Sequence, residues 1–236
     1  MALLLALFLF SCSENKSTIN VAVASNFEPT LNQIVEKFHQ QNGNDIKINI
    51  IAASSGLLSN QIINNAPFDL FLSADIEKPQ LLEKQLNIKN KPSVYAIGQL
   101  QLWIPESKLD IECLMQLNSI KTLAIANPQT APYGMLAVNI LNESNIQMEK
   151  TIQTGNVSQA YLYTKDGLTQ AGFVAKSHMQ KENSGCIQTF DNKALSQSML
   201  LLTDAAKELY QFILSNEIQK FIQQSGYLIL DSNIVE

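Results

Sequence analysis

The chain has 236 residues, 46% hydrophobic and 16% charged, which is ordinary globular composition with enough length for one large domain or two small lobes. Its net charge of −5 gives no basic footprint for nucleic acid. All 16 basic residues are lysines, so a bidentate arginine clamp on an anion is excluded, and two histidines, His39 and His178, leave little scope for metal ligation or acid–base chemistry.

Met1–Phe10 is wholly apolar, too short for a bilayer span of about 20 residues, and reads as the core of a secretion signal. Leu9-Phe10-Ser11-Cys12 resembles a bacterial lipobox, which makes Cys12 the expected lipidation site and residues 13–18 a polar tether at the membrane surface. From Ile19 onward strands and helices alternate. Ile19–Ala24 reads as a buried strand, and Leu31, Ile34, Val35 and Phe38 form one face of the helix after it. Ile46–Ala52 is a second strand, Ser55–Ile63 a short helix, Asp69–Ser73 a third strand, and Glu77–Gln85 another helix.

Val94–Ile104 is long enough to run from one lobe into another. A second set follows: a strand at Leu123–Ala126, helices near Gly134–Leu141 and Val157–Tyr163, and a strand at Gly172–Ala175. Ser198–Leu202 reads as a strand, and Asp204–Gln224 as one closing helix. The series predicts an α/β protein of two lobes, each a mostly parallel sheet flanked by helices, joined by two crossover strands. The expected boundaries are 19–97 plus 199–236 for the first lobe and 98–198 for the second. Cys113 and Cys186 could pair or stay as two buried thiols; the reading favours unpaired thiols.

Two strand-to-helix junctions carry hydroxyls: Ala24-Ser25-Asn26-Phe27, and Ala53-Ser54-Ser55-Gly56. Either could simply cap its helix. In a parallel sheet, however, both lie at the carboxyl edge, where helix N-termini and free N–H groups favour a small anion. Neither junction carries Lys or His. A site of neutral donors alone suits a fully ionised oxyanion, since each hydrogen bond to a charged group is worth about 1.5–3 kcal/mol.

These junctions, together with Asn65–Asp75 (NAPFDLFLSAD), Tyr95-Ala96-Ile97-Gly98, Asn127-Pro128 through Pro132-Tyr133-Gly134, and Gly155-Asn156-Val157, resemble the periplasmic molybdate-binding proteins of ABC transporters. The resemblance spans about Ile19 to Leu230. It implies a type II periplasmic-binding-protein fold that takes molybdate, and tungstate too, from Ser25, Asn26, Ser54 and Ser55 and from the backbone N–H groups of Tyr133 and Val157. Molybdenum would enter only as the oxyanion, with no direct protein–metal ligands, no cofactor and no catalytic residue. The implied partners are an ABC permease and its ATPase, and the expected state is a lipid-anchored monomer in the periplasm or on the outer face of the cytoplasmic membrane. Sulfate or chromate is the alternative ligand. Many family members carry a Gly-x-Val-Tyr segment whose tyrosine touches the anion; here it reads Gly172-Phe173-Val174-Ala175.

Other residues take structural expectations. Asp69 and Asp75 read as N-caps and inter-element bonds near the cleft, His39 as a surface residue, His178 as a solvated loop residue, Trp103 as core or hinge, and one of Tyr161 and Tyr163 as core. No Gly-x-Ser-x-Gly elbow points to a serine hydrolase.

Overall fold

Strand β1 (Thr18–Ala24) is an apolar run buried almost throughout, and it lies between two parallel neighbours, β2 (Lys47–Ala53) and β3 (Leu70–Leu72). The computed structural model describes residues 18–43, 46–108 and 110–228; the signal and lipidation readings at 1–12 lie outside the described residues. Helix α1 (Glu28–Asn42) has Pro29 in its first turn and buries Leu31, Ile34, Val35 and Phe38, the predicted face. Helices α2 (Ser55–Ile63) and α3 (Glu77–Gln85) have the expected bounds.

Strand β4 (Ser93–Ile104) leads to helix α4 (Cys113–Gln116) and then to β5 (Thr122–Ala126), α5 (Pro132–Glu143), β6 (Lys150–Thr154), α6 (Val157–Lys165) and β7 (Ala171–Ala175). The chain returns along β8 (Cys186–Leu201) and closes with α7 (Lys207–Ile213) and α8 (Asn216–Gln224). One eight-stranded sheet results, in the order β2-β1-β3-β8-β4-β7-β5-β6. The parallel triplets β2-β1-β3 and β6-β5-β7 form its two halves, and the long antiparallel pair β4–β8 joins them. Each half has its own core. One gathers Val21, Phe27, Leu31, Tyr95, Leu209 and Ile222; the other Leu100, Leu123, Tyr133, Ala137 and Phe173.

Three sequence expectations change, and one strand appears where none was expected. Strand β8 starts at Cys186, well before Ser198, because pairing with β4 holds a segment whose Gln188, Asp191, Asn192 and Lys193 spoil any apolar pattern. Strand β6 has no apolar run either; it is an edge strand, exposed at Lys150, Thr151 and Gln153. The single closing helix is two. Ser215 leaves helical geometry with ψ at 148° and accepts a hydrogen bond from the Ile218 N–H, so a new helix starts and Ile218 and Ile222 face the core. Finally, Cys113 and Cys186 are not separate thiols but a disulfide, 73 residues apart in sequence and 5.6 Å apart at Cα. It ties the start of α4 to the start of β8, a proximity set by the β4–β8 pairing and not by local sequence.

Candidate functional site

The ends of β1 and β2 lie side by side, with Ala24 opposite Ala53, so the two hydroxyl-bearing junctions emerge together. The Ser25 N–H donates to the Ala53 carbonyl at 3.0 Å and ties the turns to each other. Ser25, Asn26, Ser54 and Ser55 are all buried. The capping explanation fails for three of them. The residue that caps α1 is Phe27, with no side-chain cap bond, so Ser25 and Asn26 are free of that duty. Ser54 holds the cap position of α2 in extended geometry, yet makes no cap bond. Its Oγ is buried without a partner, as is Asn26 Oδ1. A buried polar group left unpaired costs about 1–3 kcal/mol, so two at one sheet edge call for an occupant. Ser55 Oγ accepts from the Ala74 N–H at 2.9 Å, which leaves its own proton available.

The other half presents two more helix starts. Tyr133 lies in the first turn of α5, where a backbone N–H has no helical acceptor. Val157 opens α6 in the same situation; Asn156 Oδ1 caps that helix by accepting from the Gln159 N–H at 3.0 Å. The valine side chain is buried, so backbone is what it can offer a ligand.

Three hydrogen bonds bring the halves together at this point. The Gly56 N–H donates to the Thr130 carbonyl at 2.8 Å. Ser158 Oγ donates to the Ser25 carbonyl at 2.9 Å, and Ser177 Oγ to the Asn26 carbonyl at 3.2 Å. The sequence-predicted residues of the first half thus meet the starts of α5 and α6.

Behind them runs a buried polar chain that sequence reading missed. Asn26 Nδ2 donates to Gln197 Oε1 at 3.0 Å, and Gln197 Nε2 donates to the Tyr133 hydroxyl at 3.0 Å. The Tyr95 hydroxyl lies 3.0 Å from Gln197 Oε1 and 3.1 Å from the Ser73 carbonyl. The Tyr227 hydroxyl donates to the Asn26 carbonyl at 2.7 Å. Burial raises the pKa of Tyr95, Tyr133 and Tyr227, so all three stay protonated donors. Gly98 makes room for this chain: a Cβ there would overlap the Tyr133 hydroxyl and Gln197 Nε2.

His178 is not a solvated loop residue. Its ring packs 5.3 Å from that of Tyr161, Nε2 lies 3.2 Å from Ser158 Oγ, and Nδ1 is shut in without a partner. Burial lowers its pKa to about 4. Asp69 and Asp75 are structural as expected: Asp69 accepts from the Asn20 N–H and the Thr203 hydroxyl, Asp75 from the Ser73 hydroxyl and the Lys78 N–H. Trp103 is buried and stacks on Tyr161, while Tyr163 is 37% exposed.

Residues 19–228 match the family described as bacterial extracellular solute-binding protein. The molybdate-binding protein of Azotobacter vinelandii is 31% identical over 236 aligned positions, covering 93% of each chain. That of Rhodobacter capsulatus is 30% identical, covering 88% of this chain and 86% of its own. Among solved structures, the Azotobacter vinelandii periplasmic molybdate-binding protein superimposes with a TM-score of 0.81 at 27% identity, over 90% of this chain and all of that one. The sulfate-binding protein of Mycobacterium tuberculosis, at TM-score 0.70 and 14% identity over 92% of this chain and 88% of that one, shares the fold.

Proposed function

The chain belongs to the bacterial extracellular solute-binding protein family, and on that footing we propose that it captures molybdate between two lobes and delivers it to an ABC transporter. The observation that carries this reading is the Ser54 hydroxyl, buried and unpartnered at the start of a helix that it does not cap, beside Asn26. The proposed ligands are the side chains of Ser25, Asn26, Ser54 and Ser55 and the backbone N–H groups of Tyr133 and Val157. The hydroxyls and backbone groups are neutral donors, Asn26 brings a neutral amide, and the helix starts add the positive ends of their dipoles. Several bonds of about 1.5–3 kcal/mol each offset the desolvation of a dianion without a counter-charge. Such a site favours an oxyanion that is fully ionised at neutral pH.

Tungstate, with the same shape and charge, is expected to bind as well. The lobes are assigned to residues 19–97 with 199–236 and to residues 98–198, hinged on β4 and β8. The protein is assigned to the periplasmic side of the membrane as a monomer, held by a lipid on Cys12, with the permease and its ATPase as partners.

The test is thermal unfolding of the chain from Ser13 onward with molybdate, tungstate, sulfate and phosphate in turn. Ligand at 100-fold over its dissociation constant adds about 2.7 kcal/mol, a rise of roughly 5–10 °C for a chain of this size. Molybdate and tungstate are expected to give that rise and sulfate and phosphate little. A rise with sulfate alone would move the assignment to another oxyanion, and no rise with any would overturn it.

A further inference from the structure

The Gln197 amide is fully buried on β8, between residues of both halves. With one sense of the amide, Oε1 faces Asn26 Nδ2 and Tyr95, and Nε2 faces Tyr133. Two costs come with it. Asn26 Oδ1 is left buried and unpaired. The Tyr133 hydroxyl, already accepting from Gln197, finds no acceptor for its own proton among the described residues.

The same heavy-atom positions accept both amides reversed. Gln197 Nε2 then donates to Asn26 Oδ1 and to the Tyr95 hydroxyl, each across 3.0 Å. Gln197 Oε1 accepts the Tyr133 proton across 3.0 Å, and Tyr95 passes its own to the Ser73 carbonyl across 3.1 Å. The Tyr227 proton keeps the Asn26 carbonyl, and the 3.3 Å bond from Asn26 Nδ2 to the Tyr227 hydroxyl is given up. Every proton in the chain now has an acceptor. What remains is the Asn26 NH2, occupying the position of the unpaired oxygen. An acceptor there repels an anion; an NH2 donates to it.

Resting on the oxyanion reading above, we propose that Gln197 is a positioning residue for the anion, its amide reversing with that of Asn26 to turn the Asn26 NH2 toward the ligand. The Tyr133–Gln197–Asn26 relay selects for charge state. In the reversed sense the cleft offers donors alone, which suits a fully ionised oxyanion. In the opposite sense it offers an acceptor, which suits a protonated one. A side chain in this place must donate at one atom and accept at the other, which an amide does without a charge. The relay also links the lobes, because Tyr133 belongs to α5 and Asn26 follows β1.

The experiment is a double-mutant cycle on molybdate affinity: wild type, Gln197→Met, Asn26→Ala and the pair. Methionine keeps the length of glutamine and removes its three side-chain hydrogen bonds, to Asn26, Tyr95 and Tyr133. Gln197→Met is expected to weaken binding about tenfold in the wild-type background, the scale of one hydrogen bond to a charged group. In the Asn26→Ala background it should change affinity by less than about twofold, because Gln197 acts through Asn26. Equal losses in both backgrounds would overturn the relay while leaving the oxyanion reading intact. A wild type that ignores molybdate would overturn both. Should Gln197→Met fail to fold, the Asn26 side-chain NH2 resonances of the wild type decide: large shifts and slowed exchange on adding molybdate support the relay, and unmoved resonances defeat it.

Discussion

The backbone N–H of Gly56, next to Ser55, donates to the carbonyl oxygen of Thr130 in the other half, 2.8 Å away. Glycine is required there by close approach: a Cβ would stand 2.8 Å from that oxygen and 3.0 Å from the Thr130 Cα. Both neighbours are backbone and cannot swing aside. Gly56→Ala is therefore expected to hold the halves slightly apart and raise the molybdate dissociation rate about tenfold, with little change in association. Stopped-flow release measures it; an unaltered rate would remove this contact from the bound state.

Ser54 and Ser55 should separate binding from folding. Ser54 Oγ has no partner, so Ser54→Ala should leave unliganded stability within about 0.5 kcal/mol of the wild type while weakening oxyanion binding roughly 10- to 100-fold. Ser55 Oγ also accepts from the Ala74 N–H. Ser55→Ala should thus lose affinity and, in addition, about 1–3 kcal/mol of stability by stranding that N–H. Denaturant titration beside calorimetric binding distinguishes the two; equal stability losses would deny the difference in their roles.

His178 predicts an acid limb in the stability curve. Burial holds its pKa at about 4 in the folded chain, against an ordinary value of 6.5. Between those values the unfolded chain carries the proton and the folded chain does not, so stability rises with pH across that window. As pH falls from about 6.5 to about 4, up to roughly 3 kcal/mol is lost from this residue; above 6.5 it contributes no slope. In His178→Gln that part of the slope should vanish, which chemical denaturation at stepped pH would reveal.

The Cys113–Cys186 bridge closes a loop of 73 residues. In the chain-entropy account, its reduction should cost about 4 kcal/mol of stability. The bridge joins the start of β8 to the start of α4, while Gln197 lies near the other end of β8. Molybdate affinity should therefore be unchanged after reduction at a temperature where the protein stays folded. An affinity that falls with reduction would couple the bridge to the site.

The apolar runs at Ile19–Ala24 and Asp69–Ser73, and the 3.6-residue repeat of Leu31, Ile34, Val35 and Phe38, were enough to place strands and helices in the first half. Hydroxyls and a glycine at two strand-to-helix junctions, with no nearby cation, marked where an anion could sit, because local composition decides which donors a helix start offers. Segments without a period were invisible. Edge strand β6 and the polar half of β8 are held by their neighbours, not by their own side chains. The same reason hid the disulfide, the enclosed His178 and the Gln197 relay: each joins residues far apart in the chain. Asn26 and Gln197 are 171 positions apart, and nothing local to either announces the other. Only the packing of β8 beside β4, with the two halves brought into contact, gives that amide its partners and the Ser54 hydroxyl its burial.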